Sequence, residues 1–142
     1  MRTVLDRNIL VRAFAKSSGL ASELLLAILA GDHTLILSNE MLSEVSRVLR
    51  YPRLVAAHGK SEEAIYEFVG WLRDRAEIVP LNPLPHAPIR DRNDIFVLQT
   101  ALRGEADALC TLDRDFFEPP ASIFLAGYGI DVLTDVELMR KL

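Results

Sequence analysis

Hydrophobic residues in this chain fall into short unbroken runs and into longer stretches with helical spacing. The first short run, residues 3–5, is almost entirely apolar without alternation and ends at Asp6. Such a run is typical of a central parallel strand that is covered on both faces. Four further short runs predict strands over residues 34–37, 78–79, 106–110 and 130–133.

The longer stretches repeat apolar residues every three or four positions, which is the spacing of an amphipathic helix. One helix is predicted over residues 20–30, after a loop containing Gly19 and before a C-terminal cap at Gly31. Others are predicted over residues 39–50 behind a cap at Ser38, over 61–74, over 93–102, and from Asp135. Prolines require an extended chain through residues 81–88, with Pro80 at the border.

The alternation of strands and helices predicts an α/β fold with three layers. Right-handed crossovers between successive strands give a central parallel sheet with helices on both faces. In such sheets, functional sites form beyond the carboxyl ends of the strands. The length of 142 residues suits one compact domain, so we expect residues 1–142 to form a single domain.

Composition excludes several classes of protein. A hydrophobic fraction of 50% with 25% charged residues is typical of a globular chain and not of a disordered one. The longest apolar run, residues 24–30, is too short to cross a bilayer, and Asp6 interrupts the apolar N-terminus before it could form a signal peptide. The single cysteine, Cys110, cannot form an internal disulfide. We therefore expect a cytoplasmic protein without a membrane role.

The net charge of −4 argues against a protein that coats nucleic acid non-specifically. The charge is compatible with a nuclease, because a carboxylate site makes the total acidic while local arginines still meet phosphates. Whether the candidate arginines share one patch is left open by the sequence. They are Arg47, Arg50, Arg53, Arg90, Arg92 and Arg114.

Four acidic residues follow the predicted strands. Asp6 closes the first strand, Glu44 lies in the helix after the second, Asp94 begins the helix after the proline-rich segment, and Asp113 follows the strand over 106–110. The carboxyl ends of parallel strands share one edge, so we expect these acids to converge. Asp115 and Asp91 are near enough in sequence to contribute ligands or supporting contacts.

Converging carboxylates need a cation. At about 4 to 5 Å they repel each other by roughly 1 to 4 kcal/mol per pair, and some would otherwise hold a proton. A hard divalent ion such as Mg²⁺ or Mn²⁺ removes this penalty and prefers oxygen ligands. Because such an ion activates water and stabilises charge on a phosphate, the predicted reaction is phosphodiester hydrolysis.

Three of the four acids also have an ordinary structural explanation. Asp6 could cap the chain after the first strand, Asp94 could be a first-turn helix acid favoured by the macrodipole, and Glu44 could be a solvated face residue. Glu40 is best explained as a first-turn helix acid. His33, His58 and His86 lack ligand spacing, so no metal is assigned to them.

Four sequence blocks carry a family resemblance: 5–10 (LDRNIL), 38–45 (SNEMLSEV), 90–94 (RDRND) and 111–115 (TLDRD). In this order they resemble the PIN domain, a family of small metal-dependent ribonucleases with a Rossmann-like sheet that includes VapC-like toxins of toxin–antitoxin pairs. The resemblance implies an RNA substrate, a homodimer and an antitoxin that inserts near the acidic pocket. It also implies catalytic roles for Asp6, Glu44, Asp94 and Asp113, with metal bound by Asp6, Asp94, Asp113 and Asp115.

Further residues near these blocks are expected to support the site. Asn8 would form backbone hydrogen bonds that shape the first loop, and Thr111 would position Asp113 through its hydroxyl. Asp91 would act as a supporting acid. Arg92 and Arg114 are candidate contacts to RNA or to a partner.

Arg7 departs from the family pattern, which commonly has threonine or serine at this position. If its side chain points inward, it would pair with Asp6 or Asp113 and compete with metal; if it points outward, it would contact RNA phosphate or an acidic partner. The alternative function is therefore a catalytically weakened PIN fold that binds RNA or a partner chain. A phosphatase with an aspartyl-phosphate intermediate is disfavoured, because Asn8 occupies the position of its second aspartate.

Overall fold

The computed structural model describes residues 1–82, 89 and 91–142, and a five-stranded parallel sheet lies at its centre. The strands are β1 (Arg2–Leu5), β2 (Thr34–Leu37), β3 (Glu77–Ile78), β4 (Ala108–Cys110) and β5 (Asp131–Leu133), in the spatial order β3-β2-β1-β4-β5. β1 is central: Val4 is paired with Ile36 of β2 and with Leu109 of β4. The predicted α/β fold with a central parallel sheet is confirmed.

Helices flank the sheet in the connections between strands. They are α1 (Arg7–Ala15), α2 (Leu20–Ala30), α3 (Asn39–Leu49), α4 (Pro52–His58), α5 (Glu62–Arg75), α6 (Arg92–Arg103), α7 (Ala121–Ala126) and α8 (Asp135–Lys141). A short 3₁₀ helix, Arg114–Phe116, follows β4. Side-chain caps define several helix starts: Ser38 accepts a hydrogen bond from the Met41 amide, and Thr134 forms a capping box with Glu137.

The hydrophobic pattern does not predict α1 and α4. α1 begins directly after β1 because Asp6 accepts a hydrogen bond from the Arg7 amide and caps the helix. The prediction that Asn8 shapes a loop here is therefore wrong, since Asn8 lies in the first turn of α1. α4 starts at Pro52, where the missing N–H of proline costs nothing. None of its residues is buried, so the sequence carries no apolar stripe that would predict this helix.

The core lies on both faces of the three central strands. Val4, Leu5, Ile36 and Leu109 are fully buried there, and α1, α2, α3 and α6 contribute apolar side chains against them. Cys110 belongs to this core, and burial raises the pKa of its thiol to about 12. It is a packed strand residue and stays protonated at neutral pH.

Two expectations concern the proline-rich segment and the absence of membrane-spanning helices. The extended conformation predicted for residues 81–88 falls mainly on residues 83–88, which lie outside the described residues, as do His86 and Arg90. In the described ranges, no single helix is both long and apolar enough to cross a membrane. α1 and α2 are long and apolar enough only when taken together, and the chain bends by 105° between them.

Candidate functional site

Asp6 stands at the carboxyl end of the central strand, with only 2% of its surface exposed. One carboxylate oxygen, Oδ1, accepts a 2.7 Å hydrogen bond from the Arg7 amide. The other, Oδ2, accepts a 2.7 Å hydrogen bond from the Thr111 hydroxyl. The capping explanation for Asp6 is thus correct for one oxygen, while the second is directed to the end of the neighbouring strand β4.

The chain leaving β4 brings two more acids to the same edge. Thr111 is fully buried, and its hydroxyl oxygen accepts a 3.0 Å hydrogen bond from the Asp113 amide. Asp113 caps the short 3₁₀ helix by accepting a 3.0 Å hydrogen bond from the Asp115 amide. The Thr111 hydroxyl therefore contacts both Asp6 and Asp113, and ties together the segments that follow β1 and β4.

Asp94 comes from the first turn of α6 and is 2% exposed. The prediction that Asp94 begins this helix is corrected: Asp91 is the N-cap, and its carboxylate accepts a 2.9 Å hydrogen bond from the Asn93 amide. Asp94, Asp113 and Asp115 each offer one carboxylate oxygen, and these three oxygens lie within 4.8 Å of one another. They form the acidic triad, as it is called below.

The acids of the site influence each other electrostatically. Burial, the largest cause, and the negative charges of Asp113, Asp6 and Asp91 together raise the pKa of Asp94 to about 7, while Arg7 opposes them. Burial also raises the pKa of Asp6, against the hydrogen bonds from Thr111 and the Arg7 amide. This mutual repulsion places Asp6 within electrostatic range of Asp94 and Asp113.

Arg7 points inward, as one of the two sequence-based alternatives proposed, but its partners differ from those expected. Nη1 lies 3.6 Å from Oδ1 of Asp94, and Nε lies 3.9 Å from Oε1 of Glu44. The expected pairing with Asp6 or Asp113 is wrong. Arg7 is the first residue of α1, so its side chain leaves towards α3 and α6 instead of crossing back over the strand ends.

Glu44 reaches the site from α3 but stands outside the acidic triad. Besides Arg7, it binds Arg47 one turn further along the same helix. Its side chain is only 11% exposed, which excludes the explanation that it is a solvated face residue. The carboxylate is thus held between two arginines.

The acidic triad fits a hard divalent cation. All its donors are carboxylate oxygens, which Mg²⁺ and Mn²⁺ prefer. Oδ1 of Asp94 is buried and has no hydrogen-bond partner within the described ranges, so a carboxylate oxygen of this buried residue is unsatisfied. Histidine plays no part among the described residues: His33 contacts the N-terminal amine, and His58 contacts the Leu49 carbonyl.

The remaining candidate residues lie around this centre. Asn8 is half-buried, and its side-chain oxygen has no hydrogen-bond partner in the part of the chain that the structure describes. Arg92 and Arg114 are exposed at the first positions of α6 and of the 3₁₀ helix, next in sequence to the acids. Their placement leaves both guanidinium groups accessible.

A cleft of about 400 Å³ between α3 and α5 contains an arginine that the sequence reasoning missed. Arg73 lines this cleft with Arg47, Arg50 and the exposed Tyr66. Arg50 is bound to Glu62 at 2.7 Å. The sequence could have indicated Arg73, because it lies seven residues, or two helical turns, after Tyr66 and therefore on the same face of α5.

Comparisons with known proteins agree with this geometry. The sequence model of the PIN domain matches residues 2–115, a range that includes every acid of the candidate site. No curated protein matches the chain in sequence.

Two solved structures share the fold. One is the crystal structure of VapBC2 from Rickettsia felis bound to a DNA fragment from their promoter. A chain of that structure is 18% identical to this one, with a TM-score of 0.63, and the match covers 94% of this chain and 98% of that one. The other is VapBC-1 from nontypeable Haemophilus influenzae, 18% identical with a TM-score of 0.54, over 96% and 99%. With the family match over most of its length and a sheet edge that gathers its acids, the chain belongs to the PIN-domain family.

Proposed function

We propose that this chain is a metal-dependent endoribonuclease, a hydrolase of RNA phosphodiester bonds, and the toxin of a toxin–antitoxin pair. The observation that carries the proposal is the acidic triad, whose three carboxylate oxygens lie within 4.8 Å of one another beside the buried Asp6. Such a concentration of negative charge in a half-buried site is unfavourable without a cation. Membership of the PIN-domain family supports the nuclease class.

Asp94, Asp113 and Asp115 would hold Mg²⁺ or Mn²⁺, with Asp6 as the next acid. When bound, the ion lowers the pKa of a water molecule and stabilises negative charge on phosphate oxygens. Asp6 contributes a carboxylate whose two oxygens are fixed by Thr111 and by the Arg7 amide, so its orientation is set before substrate arrives. In the metal-free protein Asp94 has a pKa of about 7, and it would give up its proton when the ion binds.

Phosphate contacts would come from the exposed arginines. Arg92 and Arg114 flank Asp94 and Asp113 in sequence, and a guanidinium binds phosphate through two parallel hydrogen bonds. We assign Glu44 a supporting role, because Arg7 and Arg47 hold it away from the acidic triad. Asp91 supports the start of α6 as its cap.

An antitoxin and a second copy of the chain are the proposed protein partners. The two similar structures are named as VapBC assemblies, and one of them is named as bound to promoter DNA. An antitoxin that reaches the acidic edge would block RNA from the same site. A cytoplasmic location is part of this proposal, since RNA and a nascent partner would both be met there.

Cleavage of single-stranded RNA with and without Mn²⁺ or Mg²⁺ tests the proposal. We expect cleavage by the native chain only with the metal, and a loss of at least about 100-fold in Asp113→Asn, because that change removes a ligand. Asp131→Asn is the matched control. Asp131 is exposed and pairs with Ala108 at the amino end of β4, so it lies away from the site and activity should be unchanged.

Two results would contradict the proposal. Cleavage that persists in EDTA and in Asp113→Asn would show a contaminating nuclease or a metal-independent site. RNA binding by the native chain without any metal-dependent cleavage would point instead to a binding protein with the PIN fold.

A further inference from the structure

Arg7 is a charged side chain with an unusual environment. Its guanidinium lies between α1, α3 and α6, and only 27% of the side chain is exposed. Nη1 is buried and, in the part of the chain that the structure describes, makes no hydrogen bond, and neither does Oδ1 of Asp94, 3.6 Å away. Buried charges are normally both paired and hydrogen-bonded. This pair is held by charge attraction without the usual hydrogen bonds.

Asp94 therefore faces two different neighbourhoods. On one side its carboxylate meets Arg7, and through Arg7 it is linked to Glu44. One of its carboxylate oxygens also lies within 4.8 Å of a carboxylate oxygen of Asp113 and of Asp115. Asp94 thus lies next to the positive charge of Arg7 and next to the two other carboxylates of the acidic triad.

The space on the Arg7 side is nearly filled. The cavity bounded by Arg7, Glu40, Glu44 and Asn93 has a volume of only about 10 Å³. A single water molecule needs roughly 10–15 Å³ measured in this way. Mg²⁺ keeps several waters when it binds to protein carboxylates. A hydrated ion therefore does not fit in this cavity, beside Glu44 and the guanidinium. The guanidinium itself lies within 4 Å of both Glu44 and Asp94.

We propose that Arg7 is a built-in counter-ion that occupies the cation position between Glu44 and Asp94, so that the site binds one divalent ion per chain, at the acidic triad. This inference rests on the proposed function, because it assumes that the acidic triad binds metal. It adds that the Arg7 guanidinium supplies the positive charge that a second metal ion would otherwise bring. Arg7 then tunes the site in two ways: it excludes a second ion, and its charge weakens the binding of the first.

Mn²⁺ titration of the purified, metal-free chain tests the proposal without any measurement of RNA cleavage. Calorimetry should give one Mn²⁺ per native chain. In Arg7→Met, which removes the charge and keeps most of the apolar stem, we expect either a second bound ion or binding of the first that is at least about tenfold tighter. Arg7→Lys keeps the positive charge and should resemble the native chain.

Two further measurements keep the test decisive if Arg7→Met folds poorly. The electron paramagnetic resonance spectrum of the Mn²⁺-saturated native chain should be that of an isolated ion, and a spectrum of two coupled ions would overturn the proposal. Thermal unfolding of Arg7→Gln, a neutral variant that can still donate hydrogen bonds, should show a lower melting temperature than the native chain without metal. Saturating Mn²⁺ should then raise the melting temperature of the variant more than that of the native chain.

The outcomes separate this inference from the proposed function. One ion in both the native chain and Arg7→Met, bound with equal affinity, would overturn the role of Arg7 and leave a metal-binding site in place. Two ions in the native chain would overturn the role of Arg7 in the same way. No Mn²⁺ binding by any variant would overturn both proposals.

Discussion

The Thr111 hydroxyl donates a hydrogen bond of 2.7 Å to Oδ2 of Asp6, across 105 residues of sequence. Both side chains are buried, so little water competes for this contact. The bond joins the segments that follow two adjacent strands, β1 and β4. Thr111 thereby fixes the orientation of an acid whose pKa burial would otherwise raise further.

Replacing Thr111 by valine should reduce RNA cleavage by about 10- to 100-fold, because Asp6 loses the partner that orients it. Stability should fall by about 1 to 3 kcal/mol, because the hydrogen bond to Asp6 and the one from the Asp113 amide are both lost. Thr3→Val is the matched control: Thr3 is also fully buried, but its hydroxyl has no hydrogen-bond partner in the described residues, so the variant should keep its activity and its stability. Cleavage rates and urea unfolding of both variants check this, and equal losses would contradict it.

The stability of the metal-free protein should fall as the pH rises from about 4 to about 7. Asp94 has a pKa of about 7 in the folded protein against an ordinary value of 3.8, so between these values the folded state binds the proton and the unfolded state does not. Asp6 acts in the same direction. Urea unfolding across this range should show the decline, and Asp94→Asn should flatten it. An unchanged slope in Asp94→Asn would refute the assignment.

The affinity for metal should change with pH in the opposite direction to the stability of the metal-free protein. A divalent ion binds the ionised carboxylate, so Mn²⁺ affinity should increase as the pH rises through about 7, where Asp94 loses its proton. Calorimetric titrations below and above that pH measure the change. The control is Asp131→Asn, which leaves the acidic triad intact and should titrate as the native chain does. Affinity independent of pH would argue against Asp94 as a ligand.

Ser38→Ala should destabilise the protein by about 1 to 2 kcal/mol, more than the usual loss of a helix cap. Ser38 is fully buried, caps α3 through the Met41 amide, and shares a 2.8 Å hydrogen bond with the Thr100 hydroxyl of α6. Ser61→Ala is the comparison, because Ser61 caps α5 at an exposed position through one 3.1 Å bond. It should cost about 0.5 to 1 kcal/mol. Urea unfolding measures the free energies of unfolding of the two variants. A larger loss of stability in Ser61→Ala than in Ser38→Ala would contradict the role of Thr100.

Two glycines should respond to alanine in opposite directions. At Gly104, which ends α6, a Cβ would lie 2.5 Å from Cγ2 of Ile36 in the core, so Gly104→Ala should destabilise by about 1 to 3 kcal/mol. At Gly70, inside α5, a Cβ would meet nothing within 4 Å, so Gly70→Ala should stabilise by about 0.5 to 1 kcal/mol. Thermal unfolding of both variants provides the measurement. The same sign in both would show that packing at Ile36 is not the cause.

Topology explains why much of the site could be predicted from the sequence. Asp6 and Asp113 each follow a short apolar strand, and parallel strands place their carboxyl ends at one edge. That rule brings acids together without any knowledge of side-chain geometry. Asp94 followed from its position at the start of a helix beside the same edge.

The direction of Arg7 could not be predicted, because it depends on a helix that the hydrophobic pattern does not reveal. α1 starts one residue after β1, and its rotation about the strand end decides which acids the guanidinium meets. The pKa of Asp94 was equally out of reach, since burial is its main cause and burial comes from α6 packing against the sheet. Exposed α4 leaves no signal of its own, because none of its side chains joins the core.

The strand order has a consequence for synthesis of the chain. β1 leaves the ribosome before the other four strands of the sheet, but one of its two neighbours is β4, which follows about a hundred residues later. Until β4 is added, Asp6 has no Thr111 partner and the acidic triad lacks Asp113 and Asp115. The carboxylates thus stay dispersed until the end of the matched PIN-domain region has been made, and only then can the acidic triad form.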